Sequence, residues 1–131
     1  NGFGADAEAE QAIQSLGVET LYHGADMRKP SDIQDMMHAA AQRFGRVDIL
    51  VNNAGIQHVS PLENFPTEKW DDIIAINLSS AFHTTRLALP AMQAANWGRI
   101  INILSSGLKQ PIDGLIHSNA ARAAVALSNG K

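Results

Sequence analysis

Residues 47–55 read VDILVNNAG. Val47 to Val51 form a short, nearly continuous apolar run, the pattern of a strand buried on both faces. The run stops at Asn52-Asn53-Ala54-Gly55, residues that favour turns. A second such run, GRIINIL at 98–104, closes on Ser105 and Ser106. VETLYHGAD at 18–26 is a third candidate strand, rich in β-favouring residues and broken at Gly24.

Helical patterns separate these runs. ADAEAEQAIQSLG ends at Gly17, a stop signal. PSDIQDMMHAAAQRFG places Ile33, Met36, Met37, Ala40, Ala41 and Phe44 at helical spacing, with Ser31 and Gln34 set as a capping box. TEKWDDIIAINLSSAFHTTRLALPAM at 67–92 reads as one long helix or two abutting ones, with a bend expected at Pro90. GLIHSNAARAAVAL at 114–127 is the last helix. The order helix, strand, helix, strand, helix, strand, helix predicts an α/β fold with a parallel sheet and helices on its faces.

The whole chain has 131 residues, 45% apolar and 18% charged, which fits one globular domain over 1–131. A net charge of −3 and the absence of basic runs give no footprint for nucleic acid. No apolar stretch is long enough to cross a bilayer and none resembles a signal peptide, so no membrane partner is expected and a cytoplasmic protein is the default. There are no cysteines, hence no disulfide or thiolate chemistry. The chain starts at Asn1 in a turn-like NGFG and stops within a helical pattern, as expected of a fragment.

In parallel α/β sheets ligands bind beyond the carboxyl ends of the strands. Asp26, Asn52 to Gly55, and Ser105 with Ser106 stand at those ends. Asn77 lies on the apolar stripe of its helix, four residues after Ile73 and four before Ala81. A buried amide there needs partners: a backbone carbonyl across the bend on a structural reading, a water on a functional one. Ser118 and Arg122 share a helical face, four residues apart. The five histidines show no metal-ligand spacing, so surface or core roles are expected and no metal site.

VDILVNNAG, followed by WDDIIAINL and GRIINILSS, resembles the middle of a short-chain dehydrogenase/reductase. LYHGAD and the run from NNAGIQHVS to LALPAM are similar to the bacterial 3-hydroxybutyrate dehydrogenase branch. The resemblance implies a Rossmann-like doubly wound parallel sheet, partial here. The first strand with its glycine-rich loop and the C-terminal strands would lie outside this chain, and no G-x-G-x-x-G occurs within it. It implies NAD, with NADP not excluded, a hydroxy acid or ketone as small-molecule partner, and a homo-oligomeric complete protein.

The resemblance also implies roles. Phe3, Asp26 and Met27 fall where the cofactor's adenosine is met, and Asn53, Ala54 and Gly55 along its ribose and nicotinamide side. Asn77 matches the tetrad asparagine that holds a relay water, Ser105 the serine that bonds the substrate oxygen, and Gln57 a substrate-carboxylate contact. The Tyr and Lys of Y-x-x-x-K are replaced. Thirteen residues after Ser105 stands Ser118, and four further Arg122, which is expected to steady the cofactor. A serine hydroxyl is a far weaker acid than tyrosine, whose pKa starts near ~10. The branch's His and Lys for the acid's carboxylate fall at Gly107 and Leu115, and the tail from KQPIDGL to SNAARAAV resembles an oxoacyl-reductase-like branch instead. Impaired activity is therefore expected, with a non-catalytic nucleotide-binding or interaction module, or an inert truncation, as alternatives.

Overall fold

The computed structural model describes residues 7–110 and 113–128. Among the described residues five α-helices and two strands follow one another: α1 (Ala7–Gln14), α2 (Pro30–Phe44), β1 (Ile49–Asn52), α3 (Thr67–Ile74), α4 (Ser80–Ala94), β2 (Arg99–Asn102) and α5 (Ile116–Ser128). β1 and β2 pair in parallel, Ile49 against Arg99 through Asn52 against Asn102. A crossover of α3 and α4 joins them, as a parallel pair requires. This is a partial Rossmann-like α/β fold.

The core sits between the sheet and two helices. Ile33 and Met37 of α2, Ala88 and Met92 of α4 and Leu50 of β1 form one buried cluster, with Ile100 of β2 packed against it. The opposite face of the sheet is open among the described residues: Ile49 and Val51 are about half exposed, and Ile101 and Ile103 nearly so. The expectation of strands covered on both faces, with helices on each, is thus met on one face only. The alternation of burial along β1 and β2 follows from the two-residue period of a strand packed on one side.

Residues 18–26 are irregular rather than a strand. β-favouring composition makes a strand only where a neighbour offers a ladder, and β1 pairs with β2 alone among the described residues. The capping box at Ser31 and Gln34 does not form either. Lys29 occupies the cap position without a side-chain bond, and Pro30 opens the helix, where its missing N–H costs nothing. Gly45 ends α2 at φ 89°, a left-handed value that glycine takes without strain.

The long helical segment is one continuous run, and its hydrogen-bond pattern stays α-helical across Pro90. That residue lies inside α4, which continues to Ala94. The departure comes at Ala75–Ser79, a π-turn between α3 and α4. Such single turns widen the backbone spiral by one residue and cluster at functional sites. This one carries Asn77.

Candidate active site

Beyond the carboxyl ends of β1 and β2 lies a cleft of about 230 Å³. Asn53, Gly55 and Gln57 reach it from the loop after β1. Asn77 comes from the π-turn, Ser105 from the segment after β2, and Ser118 and Arg122 from α5. Seven of the residues singled out from sequence, scattered over 70 positions, therefore converge on one place.

Side-chain hydrogen bonds hold the strand ends that frame this cleft. Asn52 Nδ2 donates to Asn102 Oδ1 at 2.8 Å across the two strands. Thr84 of α4 donates to Asn52 Oδ1 at 2.7 Å, so helix and both strands are tied at one level. Asn77 is 2% exposed and its amide is satisfied at both ends: Nδ2 donates to the Ile56 carbonyl at 3.0 Å, and Oδ1 accepts from the Ile56 N–H at 2.9 Å. Its backbone partner thus lies in the loop after β1, not across the helix bend. The π-turn aims the amide there, and Gly55 and Gln57 are positioned by it.

Ser105 caps a short 3₁₀ turn, its hydroxyl accepting from the Gly107 N–H at 3.2 Å. Gly107 is buried, and a β-carbon added there would meet Asn119 Oδ1. Asn119 of α5 thus fills the space that a side chain at 107 would need. Ser118 is 4% exposed on the adjoining turn of α5. Arg122 Nη1 donates to the Ile103 carbonyl at 2.6 Å, and its Nη2 lies where a β-carbon on Gly55 would stand. Burial pushes the Arg122 pKa below its ordinary value, though a guanidinium keeps its charge at neutral pH.

Other candidates lie elsewhere. Asp26 is held by Arg28, at 2.8 Å, which also reaches Asp72 of α3 at 3.3 Å. Hydrogen bonds from the Arg28 side chain and backbone lower the Asp26 pKa to about 2. Met27 packs against the core cluster. Neither lines the cleft, nor does Ala54, and Phe3 lies outside the described residues. His117, the residue before Ser118 and turned about 100° from it around α5, is fully buried, its ring 4.7 Å from the Phe65 ring. Its Nε2 accepts a long bond, 3.5 Å, from the His58 N–H, while Nδ1 has no partner among the described residues. Sequence reading passed over His117 and Asn119 as fasteners of the loops. Their position beside Ser118 was the available signal.

Residues 4–128 match the short chain dehydrogenase family. The chain belongs to that family. The chain is 57% identical over 132 residues to a D-beta-hydroxybutyrate dehydrogenase of Cupriavidus necator, a match covering 99% of the chain and 49% of the relative. A D-beta-hydroxybutyrate dehydrogenase of Rhizobium meliloti is 51% identical over 134 residues, covering 99% and 50%. The chain spans about half the length of these relatives. A metagenomic short-chain oxidoreductase crystallised in complex with NADP superposes with a TM-score of 0.86 at 32% identity, over 91% of this chain and 54% of that one. The cleft fits the nicotinamide end of such a cofactor in kind. It is ring-sized, lies at the strand ends of a parallel sheet, and is lined by amides, hydroxyls and small residues. No helix among the described residues is long and apolar enough to cross a membrane, and none of them form a metal-binding cluster.

Proposed function

We propose that residues 1–131 form one partial dinucleotide-binding domain of an NAD(P)-dependent oxidoreductase that interconverts a secondary alcohol and a ketone. The substrate pair is 3-hydroxybutyrate and acetoacetate. The observation that carries this reading is the convergence of Gln57, Asn77, Ser105, Ser118 and Arg122 on one cleft. Identity of 57% and 51% to two hydroxybutyrate dehydrogenases supports the substrate class.

The nicotinamide supplies the hydride acceptor or donor. Asn53 and Gly55 would border the bound ring, and Arg122 would hold its ribose side. Ser105 holds the substrate oxygen by a hydrogen bond, and Gln57 reaches the carboxylate end. Asn77 keeps the loop that carries Gly55 and Gln57 in register through its paired bonds to Ile56, beside its place in the proton relay. Ser118 stands where the alcohol's proton must leave or arrive, and as a weak acid it makes this the slow step. Positioned acid–base assistance is worth roughly 10²–10⁴-fold in rate. Phe82 and Leu89 on α4 and Leu127 on α5, all exposed, support a homo-oligomer built through these helices. A cytoplasmic location accompanies the reading.

The replacement of Tyr and Lys by Ser118 and Arg122 favours a second reading, a nucleotide-binding module without turnover. One experiment separates them. The segment is grafted in place of the matched half of the Cupriavidus relative and assayed with NAD and with NADP for oxidation of D-3-hydroxybutyrate. Slow turnover that rises with S118Y/R122K supports the dehydrogenase. Cofactor binding with no turnover in either form supports the module.

A further inference from the structure

Among the described residues Arg122 is the sole charged one lining the cleft; its neighbours there are amides, serines and apolar side chains. The guanidinium is drawn partly out of solvent between Gly55 and the end of β2, and the Ile103 carbonyl takes one of its five donors. Among the described residues no carboxylate lies within ion-pair distance of it. The ion pairs there belong to Arg28, Arg43 and Arg46, all on exposed side chains. Arg28 has two carboxylates although water would solvate it, whereas Arg122 has none where water is partly excluded. An uncompensated, partly desolvated charge is unfavourable, and an anion arriving from solution relieves it.

The surroundings fit an arriving anion. Asn53 and Gln57 bring side-chain amide donors to the cleft, and Ser105 and Ser118 bring hydroxyls. Among the described residues no acidic one lines it to repel a negative group. A planar guanidinium fork matches the paired oxygens of carboxylate or phosphate. The volume of about 230 Å³ lies below the roughly 300–1,000 Å³ of drug-sized pockets, which restricts the guest to a small oxyacid or the anionic end of a larger one. The chain's net charge of −3 supplies no general attraction, so recognition is local to this residue.

We propose that the cleft is an anion receptor in which Arg122 takes the oxygens of a small carboxylate or a phosphate. The assignment of the carboxylate to a hydroxy or oxo acid rests on the dehydrogenase reading above; the receptor itself does not. The role goes beyond support of the cofactor's ribose, because it makes this one guanidinium the element that selects charged over neutral guests.

The test is a titration of the ¹⁵N-labelled 131-residue chain, followed at the Arg122 Nε–H resonance, with acetoacetate, inorganic phosphate and the neutral ketone 2-butanone. Acetoacetate or phosphate should move the resonance saturably, and butanone should not. A saturable response to acetoacetate alone assigns the site to substrate carboxylate, and one to phosphate alone assigns it to a nucleotide phosphate. In R122Q, followed by the neighbouring backbone amides, anion affinity should fall at least tenfold, while R86Q, on the outer face of α4, should bind as the parent does. Should R122Q not fold, R122K decides: it keeps the charge and loses the fork, so affinity should fall by a smaller factor. Butanone moving the resonance as strongly as acetoacetate, or R122Q (if unfolded, R122K) binding within twofold of the parent, overturns the proposal. Because binding is read without turnover, a failed anion site leaves the dehydrogenase reading standing, and absent turnover in the graft leaves the anion site standing.

Discussion

The Arg122 guanidinium occupies the space beside Gly55 that a β-carbon would need, while its other end donates to the Ile103 carbonyl. One side chain from α5 thus braces the loop after β1 against the end of β2. G55A should displace it, and because the atom met is the tip of a long side chain the cost should be that of the Arg122–Ile103 bond, about 1 kcal/mol. Urea unfolding of G55A, R122A and the double variant gives the coupling. G55A should cost less in the R122A background, and strictly additive effects would show that the two do not compete for space.

Asn77 satisfies both backbone groups of Ile56 from a buried position. N77A leaves a donor and an acceptor without partners, each worth about 1–3 kcal/mol when buried. N77D keeps the acceptor but sets a carboxylate against the Ile56 carbonyl, so it should not rescue. Hydrogen exchange at the Ile56 amide is the direct reporter: it should quicken in both variants relative to amides within β2. Unchanged exchange in N77A would mean that the loop is held by other contacts.

His117 has its pKa lowered by burial first and by the His58 charge second. A group whose folded-state pKa is depressed favours the folded state while it is neutral. Its contribution is present above the unfolded value of about 6.5 and is lost as pH falls toward the folded value. Protonation also turns Nε2 into a donor facing the His58 N–H. Stability of the parent should therefore decline below about pH 6.5, and H117F, stacked on Phe65, should show a flatter profile in that window. Parallel profiles for the two chains would remove His117 from the account.

Gly107 and Asn119 form the third close fit. G107A should be destabilising by about 1 kcal/mol or more because the new methyl meets the Asn119 amide oxygen. N119A should relieve much of that cost, measured as thermal midpoints of the two singles and the double. The same crowding means that a longer side chain at 107 requires the Asn119 amide to move.

Much of this was legible in one dimension. The two apolar runs at 47–51 and 98–104 and the helical periodicity between them announced a parallel pair with a helical crossover, because period and burial are written locally. Asn77 was legible as a buried amide in need of partners, and Ser118 with Arg122 as one helical face. The strand expected at 18–26 was not decided locally, since a strand exists through its neighbours, and no described neighbour pairs with it. The π-turn at Ala75–Ser79 was likewise invisible, because it shifts hydrogen bonds without changing which residues are apolar.

By itself, then, the sequence determined the helices, the two paired strands, the parallel α/β class and the family, all carried by local period and by motifs. Only the tertiary structure decided who touches whom: that Asn77 grips Ile56, that Asn119 fills the place of a side chain at 107, and that Arg122 stands in the cleft without a carboxylate among the described residues. Those relationships join residues up to 67 positions apart, as Arg122 and Gly55 are. They depend on distances of a few ångströms that no pattern along the chain encodes.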